Sequence, residues 1–195
     1  MLTLAVAETP GASLVKVPLP PEDRAKLRAI LQWPQECEDD HQAVATLLEL
    51  PDARVRFLEI APGKQLVEVG CARGAYQEAQ RYFLLDESTT APQGQALKLP
   101  AYELDEDDQW QPQDWDEVAG DASFDPKRKT LTIFARARGI GDCGQRATWR
   151  YDTKSAKLVL VEFRGRACDD EPDKAGPPEK WPRVFPSPSA PAKPR

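Results

Sequence analysis

The chain has 195 residues, 41% of them hydrophobic, which is enough apolar material to bury a core and too much for a disordered chain. A net charge of −6 argues against general affinity for nucleic acid or an anionic membrane surface. Its 19 prolines disfavour long helices, and no apolar run approaches the roughly 20 residues that a membrane-spanning helix requires.

The first residues, MLTLAVAETPGA, carry the small-residue pattern Ala5-Val6-Ala7 after a short apolar stretch with no basic start. They read either as a remnant of an export signal or as an ordinary first strand, and residues 1–20 are set apart as an N-terminal extension. Residues 21–32 read as a helix, because Pro21, Glu22 and Asp23 suit a helix N-terminus and Leu27, Ile30 and Leu31 recur at helical spacing. The helix is expected to stop near Trp33-Pro34, and the stretch CEDDHQ that follows reads as a solvated, charged loop. ATLLEL is ambiguous between helix and strand. ARVRFLEI and QLVEVGC, separated by Ala61-Pro62-Gly63-Lys64, predict a hairpin, and AYQEAQRYFLLD is expected to add a third strand. ALKLPAYEL contains a proline and reads as an edge strand.

Beyond it, residues 103–117 form the densest acidic cluster, ELDEDDQWQPQDWDE. Asp105, Asp107 and Asp108 are calcium-ligand types, but the glycine and the closing acid of an EF-hand loop are missing. Two readings stand: a plain solvated loop, or a partner-binding loop in which Trp110 and Trp115 are anchors flanked by Asp107 and Asp108. Period-two alternation then predicts a three-stranded antiparallel meander from KTLTIFARAR, RATWRY and KLVLVEF, with GIGDCG at one corner and DTKSA at the other. In the first two strands Leu131, Ile133, Ala135, Ala147, Trp149 and Tyr151 share the inner face. The outer face receives Phe134 and the arginines Arg136, Arg138, Arg146 and Arg150. That row is either a solubilising surface or a recognition face for acidic groups, to be neutralised by the acidic loop or by a partner. Near the end, Trp181, Val184 and Phe185 are expected to dock on the core, and residues 187–195 are too poor in apolar groups to fold.

The four cysteines, Cys37, Cys71, Cys143 and Cys168, contain no C-x-x-C and match no zinc spacing. They read as two disulfides in an oxidising compartment, against four reduced core cysteines. In the meander, Cys143 at the first corner and Cys168 after the third strand finish at the same end, so they are expected to pair, with the corner glycines bending the chain. Closing that loop is worth about 3 kcal/mol on the chain-entropy model. Cys37 and Cys71 then pair by elimination.

The stretches LTIFARARGIGDCGQRATWRYD, LVEFRGRACDD, WPRVF, LVEVGCARGAYQEAQRYFL and WPQECE together resemble the bacterial exported family of unknown function DUF1176, over most of residues 33–186. The run Arg138-Gly-Ile-Gly-Asp-Cys-Gly144 is the most specific part. The resemblance implies a periplasmic, cysteine-containing protein and brings no reaction with it.

The expected fold is mainly β (α+β), with antiparallel meanders in one or two packed sheets and one N-terminal helix. A single domain over 21–186 is expected, with two similar β halves at about 33–104 and 117–186 as a weaker reading. His41 is the only histidine, no nucleophile elbow, P-loop or dinucleotide fingerprint occurs, and no cofactor or metal is expected. The function read from this is non-enzymatic binding of another protein, as an inhibitor or immunity-type protein restraining an envelope-acting enzyme or toxin. A hydrolase with paired carboxylates, which leave no linear motif, and a structural envelope component are the alternatives.

Overall fold

The computed structural model describes residues 19–48, 54–169 and 171–187. The export-like stretch at Ala5–Ala7, the end of ATLLEL and the tail from residue 188 onward lie outside them.

Helix α1, Pro21–Leu31, begins with a proline whose missing N–H costs nothing there, and Glu22 and Asp23 lie in its first turn. It closes on Gln32 in the left-handed conformation, whose N–H is donated to the Arg28 carbonyl at 2.7 Å. A second helix, α2, Gln35–Leu48, replaces the charged loop expected at CEDDHQ. Its acids Glu36 and Glu38 lie in the first turn, where they meet the positive end of the helix dipole, and Gln35 donates to Asp39 one turn on.

The helices cover one face of an antiparallel sheet, order β1-β2-β3-β4, made of Val55–Ala61, Lys64–Arg73, Glu78–Asp86 and Gln93–Ala96. Alternation sends Val67, Val69, Cys71, Phe83 and Leu85 to the helix side, against Leu27, Leu31 and Trp33. It sends Leu66, Tyr82 and Leu84 to the opposite side. Strands β5, Leu99–Leu104, and β6, Trp110–Trp115, form a separate hairpin, so ALKLPAYEL supplies an edge strand as its proline required. Short β7, Val118–Ala119, pairs with β3 and leads into a second sheet, β8-β9-β10-β11-β12, comprising Asp121–Asp125, Thr130–Arg136, Gly144–Asp152, Lys157–Arg166 and Arg183–Phe185. The expected meander is β9-β10-β11, fully antiparallel.

The inner face of this second sheet (Leu131, Ile133, Ala147, Trp149, Phe163) and the hairpin residues Leu99, Ala101 and Trp115 join Leu66, Tyr82 and Leu84 in one buried cluster. The fold is therefore layered helix, sheet, sheet, with the hairpin closing the side. Two glycines are fixed by close approach. At Gly144, φ is +134° and a Cβ would lie 2.1 Å from the Ala135 carbonyl oxygen. At Gly165 a Cβ would lie 2.1 Å from the Trp110 ring.

Candidate functional site

The structure contains both expected disulfides, Cys37–Cys71 from helix α2 to strand β2, and Cys143–Cys168 from the GIGDCG corner to the end of β11. The second one anchors the most elaborated surface of the molecule. There the corner between β9 and β10 meets the loop between β2 and β3, so one piece comes from each sheet.

Gln77 joins them as a strand would. Its amide nitrogen donates to the Arg136 carbonyl at 3.1 Å, and its amide oxygen accepts the Arg136 N–H at 3.0 Å. The Tyr76 hydroxyl donates to the Ala137 carbonyl at 3.2 Å. The Arg136 guanidinium donates to the Tyr76 carbonyl and to Asp121, each at 2.9 Å, and lies 5.9 Å from the Tyr76 ring centroid. Inside the corner, Arg138 grips Asp142 with both fork nitrogens and reaches the Asp169 carbonyl at 2.8 Å. The Arg138 hydrogen bond is the main cause that holds the Asp142 carboxyl below the usual carboxylate range, and the remaining effect of burial opposes it. The side chains of Tyr76, Gln77, Arg138 and Asp142 are each hydrogen-bonded within the corner, and what projects is apolar: Ile140 is 72% exposed and Tyr76 43%.

Two polar clefts flank the corner, and Gln77 lines both. One, about 450 Å³, has Arg56, Glu68, Arg73, Glu78 and Asp121 among its walls. Of these, Arg56 and Glu68 continue into a buried row across β1, β2 and β3, with Arg56 paired to Glu68 and the Tyr82 hydroxyl donating to Glu68 at 2.8 Å. Burial raises the Tyr82 pKa well above the usual tyrosine value, reinforced by the charge of Glu68. The other cleft, about 500 Å³, includes Glu103, Glu117, Gln145 and Arg166 and ends at Cys168.

A general acid needs a carboxyl whose pKa is raised. The carboxylates displaced here move the other way. Burial alone would raise Glu38, but hydrogen bonds from Arg24 and Trp33 outweigh it and hold it low. Glu162 is held low first by Arg164, and Asp105 first by the Gln109 backbone N–H. Among the described residues no three or more His, Cys, Asp or Glu side chains are grouped to hold a metal ion. His41 lies on α2, beside Glu38 in a groove against α1.

The arginines expected on one face divide. Arg136, Arg146 and Arg150 do share the outer face of the second sheet, by the pairings Phe134↔Arg146 and Thr130↔Arg150. Arg138 lies beyond the end of β9, in the corner. The acidic stretch does not neutralise them, because it folds as the β5–β6 hairpin against the opposite, inner face. Asp121 pairs with Arg136, Glu162 and Glu179 with Arg146, and Trp181 covers Phe134 with ring centroids 5.6 Å apart. Trp181 is thus buried as expected, on the outer face, while Val184 and Phe185 pack on the intersheet core.

Trp115 is not an exposed anchor: it is 7% exposed, its indole N–H donates to Glu103, and its ring packs edge-on to Trp149. Trp110 is half-buried against Phe163. Five residues apart in β6, the two tryptophans do not share a face by alternation; both are covered because the hairpin wraps over Phe163. Asp107 and Asp108 are exposed in the β5–β6 turn, where Asp105 accepts the backbone N–H groups of Asp107 and Gln109.

Tyr76, Gln77, Ile140 and Asp142 were not singled out from sequence. The contacts of Tyr76 and Gln77 join residues about sixty apart and leave no local pattern. Ile140 did leave one, since a β-branched apolar residue between two glycines in a turn has no packing reason to be there.

A comparison with curated proteins finds the uncharacterized protein YpfG of Escherichia coli (strain K12), 26% identical over 132 residues. That match covers 67% of this chain and spans only 35% of the relative's length. No solved structure matches the chain. The family model described as protein of unknown function (DUF1176) matches residues 4–188, past both ends of the region in which the resemblance was read. With nearly its whole length inside that match, the chain belongs to the DUF1176 family.

Proposed function

We propose that this protein is a non-enzymatic binding protein of the bacterial periplasm that restrains an envelope-acting enzyme or toxin, and that the corner carrying Tyr76 and Ile140 is the part that engages it. The carrying observation is the exposure of Ile140, at 72%, on a loop braced by the Arg138–Asp142 pair and by Arg138 on the Asp169 carbonyl. An apolar anchor on a loop pre-organised by a disulfide and a bidentate ion pair loses little conformational entropy on binding, which favours tight capture. The two disulfides support an oxidising compartment, and no helix among the described residues is long and apolar enough to cross a membrane.

Periplasmic extract passed over the immobilised chain should yield a stoichiometric partner. Ile140→Asp should weaken that capture by roughly thirtyfold or more, the cost of a hot-spot loss, and leave the melting temperature unchanged. No stoichiometric partner, or a partner retained equally by the variant, rejects this reading.

A further inference from the structure

The cleft that holds Arg56 and Glu68 opens between the two sheets. Arg56 reaches it from β1, Glu68 and Arg73 from β2, and Asp121 from the start of β8. Its volume, about 450 Å³, suits a small molecule. Its frame is held from both sides: the Gln80 amide donates to the Gly120 carbonyl at 3.1 Å, the Gly120 N–H donates to the Glu78 carbonyl at 2.9 Å, and Arg136 holds Asp121. A ligand entering it meets groups already in place.

Glu68 is only 7% exposed, so each oxygen of its carboxylate needs a partner or an opening. Both of its hydrogen bonds, from Arg56 Nη2 and from the Tyr82 hydroxyl, fall on Oε2. Oε1 receives none among the described residues and is not sealed in, so it opens on the cleft that Glu68 lines. Arg56 is placed in the same way. Its Nη2 is spent on Glu68 and its Nε is buried, which leaves Nη1 on the accessible side with no partner among the described residues. A closed buried ion pair has its polar atoms matched; this one presents an acceptor and a donor of opposite charge to one space.

The rest of the lining repeats both signs. Arg73, whose side chain is 47% exposed, lies 3.6 Å from Glu78, beyond hydrogen-bond distance, and the Asp121 side chain is 64% exposed although Arg136 reaches one of its oxygens. A simple cation would be drawn by Glu68 and Asp121 and repelled by Arg56 and Arg73, and a simple anion would meet the reverse. A small molecule that carries both charges a few bonds apart satisfies both sets. An α-amino acid in its zwitterionic form is such a molecule.

We propose that this cleft binds a free α-amino acid, its ammonium donating to Glu68 Oε1 and its carboxylate accepting from Arg56 Nη1 and Arg73. Binding here does not require that Ile140 engage a partner, and the full chain alone serves for the test. Titration with each of the standard α-amino acids, followed by the amide resonances of Gly74, Gln77, Gln80 and Asp121, should give saturable shifts with at least one of them. The carboxamide of that amino acid, which keeps the ammonium alone, and its N-acetyl form, which keeps the carboxylate alone, should each bind at least about tenfold more weakly, the cost of one charge-assisted hydrogen bond. Arg73→Ala, at a half-exposed position, should narrow the gap between the amino acid and its carboxamide and leave the melting temperature unchanged. Glu68→Gln should narrow the gap between the amino acid and its N-acetyl form; if that variant does not fold, the Arg73→Ala comparison decides. Shifts that fail to saturate below about 10 mM with every amino acid overturn the proposal. So does a carboxamide or an N-acetyl form that binds as tightly as the amino acid itself.

Discussion

Glu38 shows how a buried charge is kept in this protein. It sits between Arg24, at 2.8 Å, and the Trp33 indole N–H, at 2.6 Å, and the Arg24 guanidinium in turn lies 5.3 Å from the centroid of the Trp33 ring. The three residues tie α1 to the start of α2, next to the Cys37–Cys71 bridge. Glu38→Gln would leave Arg24 buried with its charge unmatched, so a loss of about 3–5 kcal/mol is expected at neutral pH by urea denaturation. The pH dependence has a fixed sign. Because the folded carboxyl is held below its unfolded value, its stabilisation is complete above about pH 4.3 and is lost as pH falls through the depressed folded value. The difference between the natural chain and Glu38→Gln should therefore narrow in acid. A difference that stays constant down to pH 2 would mean the carboxylate contributes nothing by its charge.

At the level of elements, the disulfides differ in how they are packed. Cys37 and Cys71 are both buried, whereas Cys143 is buried and Cys168 exposed. A small thiol reductant should open Cys143–Cys168 first, attacking at the exposed sulfur, and leave Cys37–Cys71 closed until denaturant is added. Alkylation followed by mass spectrometry reads the order, and early labelling at Cys37 or Cys71 would overturn it. Loss of the Cys143–Cys168 link is expected to cost about 2–4 kcal/mol and to loosen the corner at Ile140. This meander was readable in advance because one of its faces is buried, so Leu131, Ile133 and Ala135 alternate cleanly with Thr130, Thr132 and Phe134. Helix α2 was not readable as a helix, because its first eight residues, QECEDDHQ, hold a single apolar side chain, Cys37, and read as a solvated face. The hairpin tryptophans were misread for the same reason: charge density describes what surrounds a side chain in sequence, while packing of the hairpin on Phe163 and Trp149 decides what is buried. The corner itself was half visible, its disulfide and glycines in the local motif, its Tyr76 and Gln77 contacts only in three dimensions.

The whole molecule is one cooperative unit if its layers share a core, and the residues of β2 decide this. Leu66 points into the intersheet cluster with Leu131 and Trp149, while Val67, next in sequence, points into the helix-side cluster with Leu31 and Trp33. A single strand thus supplies both cores, and neither the segment 33–104 nor 117–186 buries its apolar face alone, since Leu66, Tyr82 and Leu84 of the first are covered by Ile133, Ala147 and Trp149 of the second. Burial of this kind makes partial unfolding costly, because opening either layer exposes both faces of the central sheet. Tryptophan fluorescence samples Trp33 in the helix layer and Trp115 and Trp149 between the sheets, whereas far-UV dichroism samples the backbone of all layers. Both probes should give one urea transition with the same midpoint. Leu66→Ala, which removes a buried side chain from the intersheet cluster, should lower stability by about 2–5 kcal/mol and move both curves together. If the fluorescence curve moved while the dichroism of the helices did not, the helix layer would be unfolding by itself, and the shared strand would not be coupling the two cores.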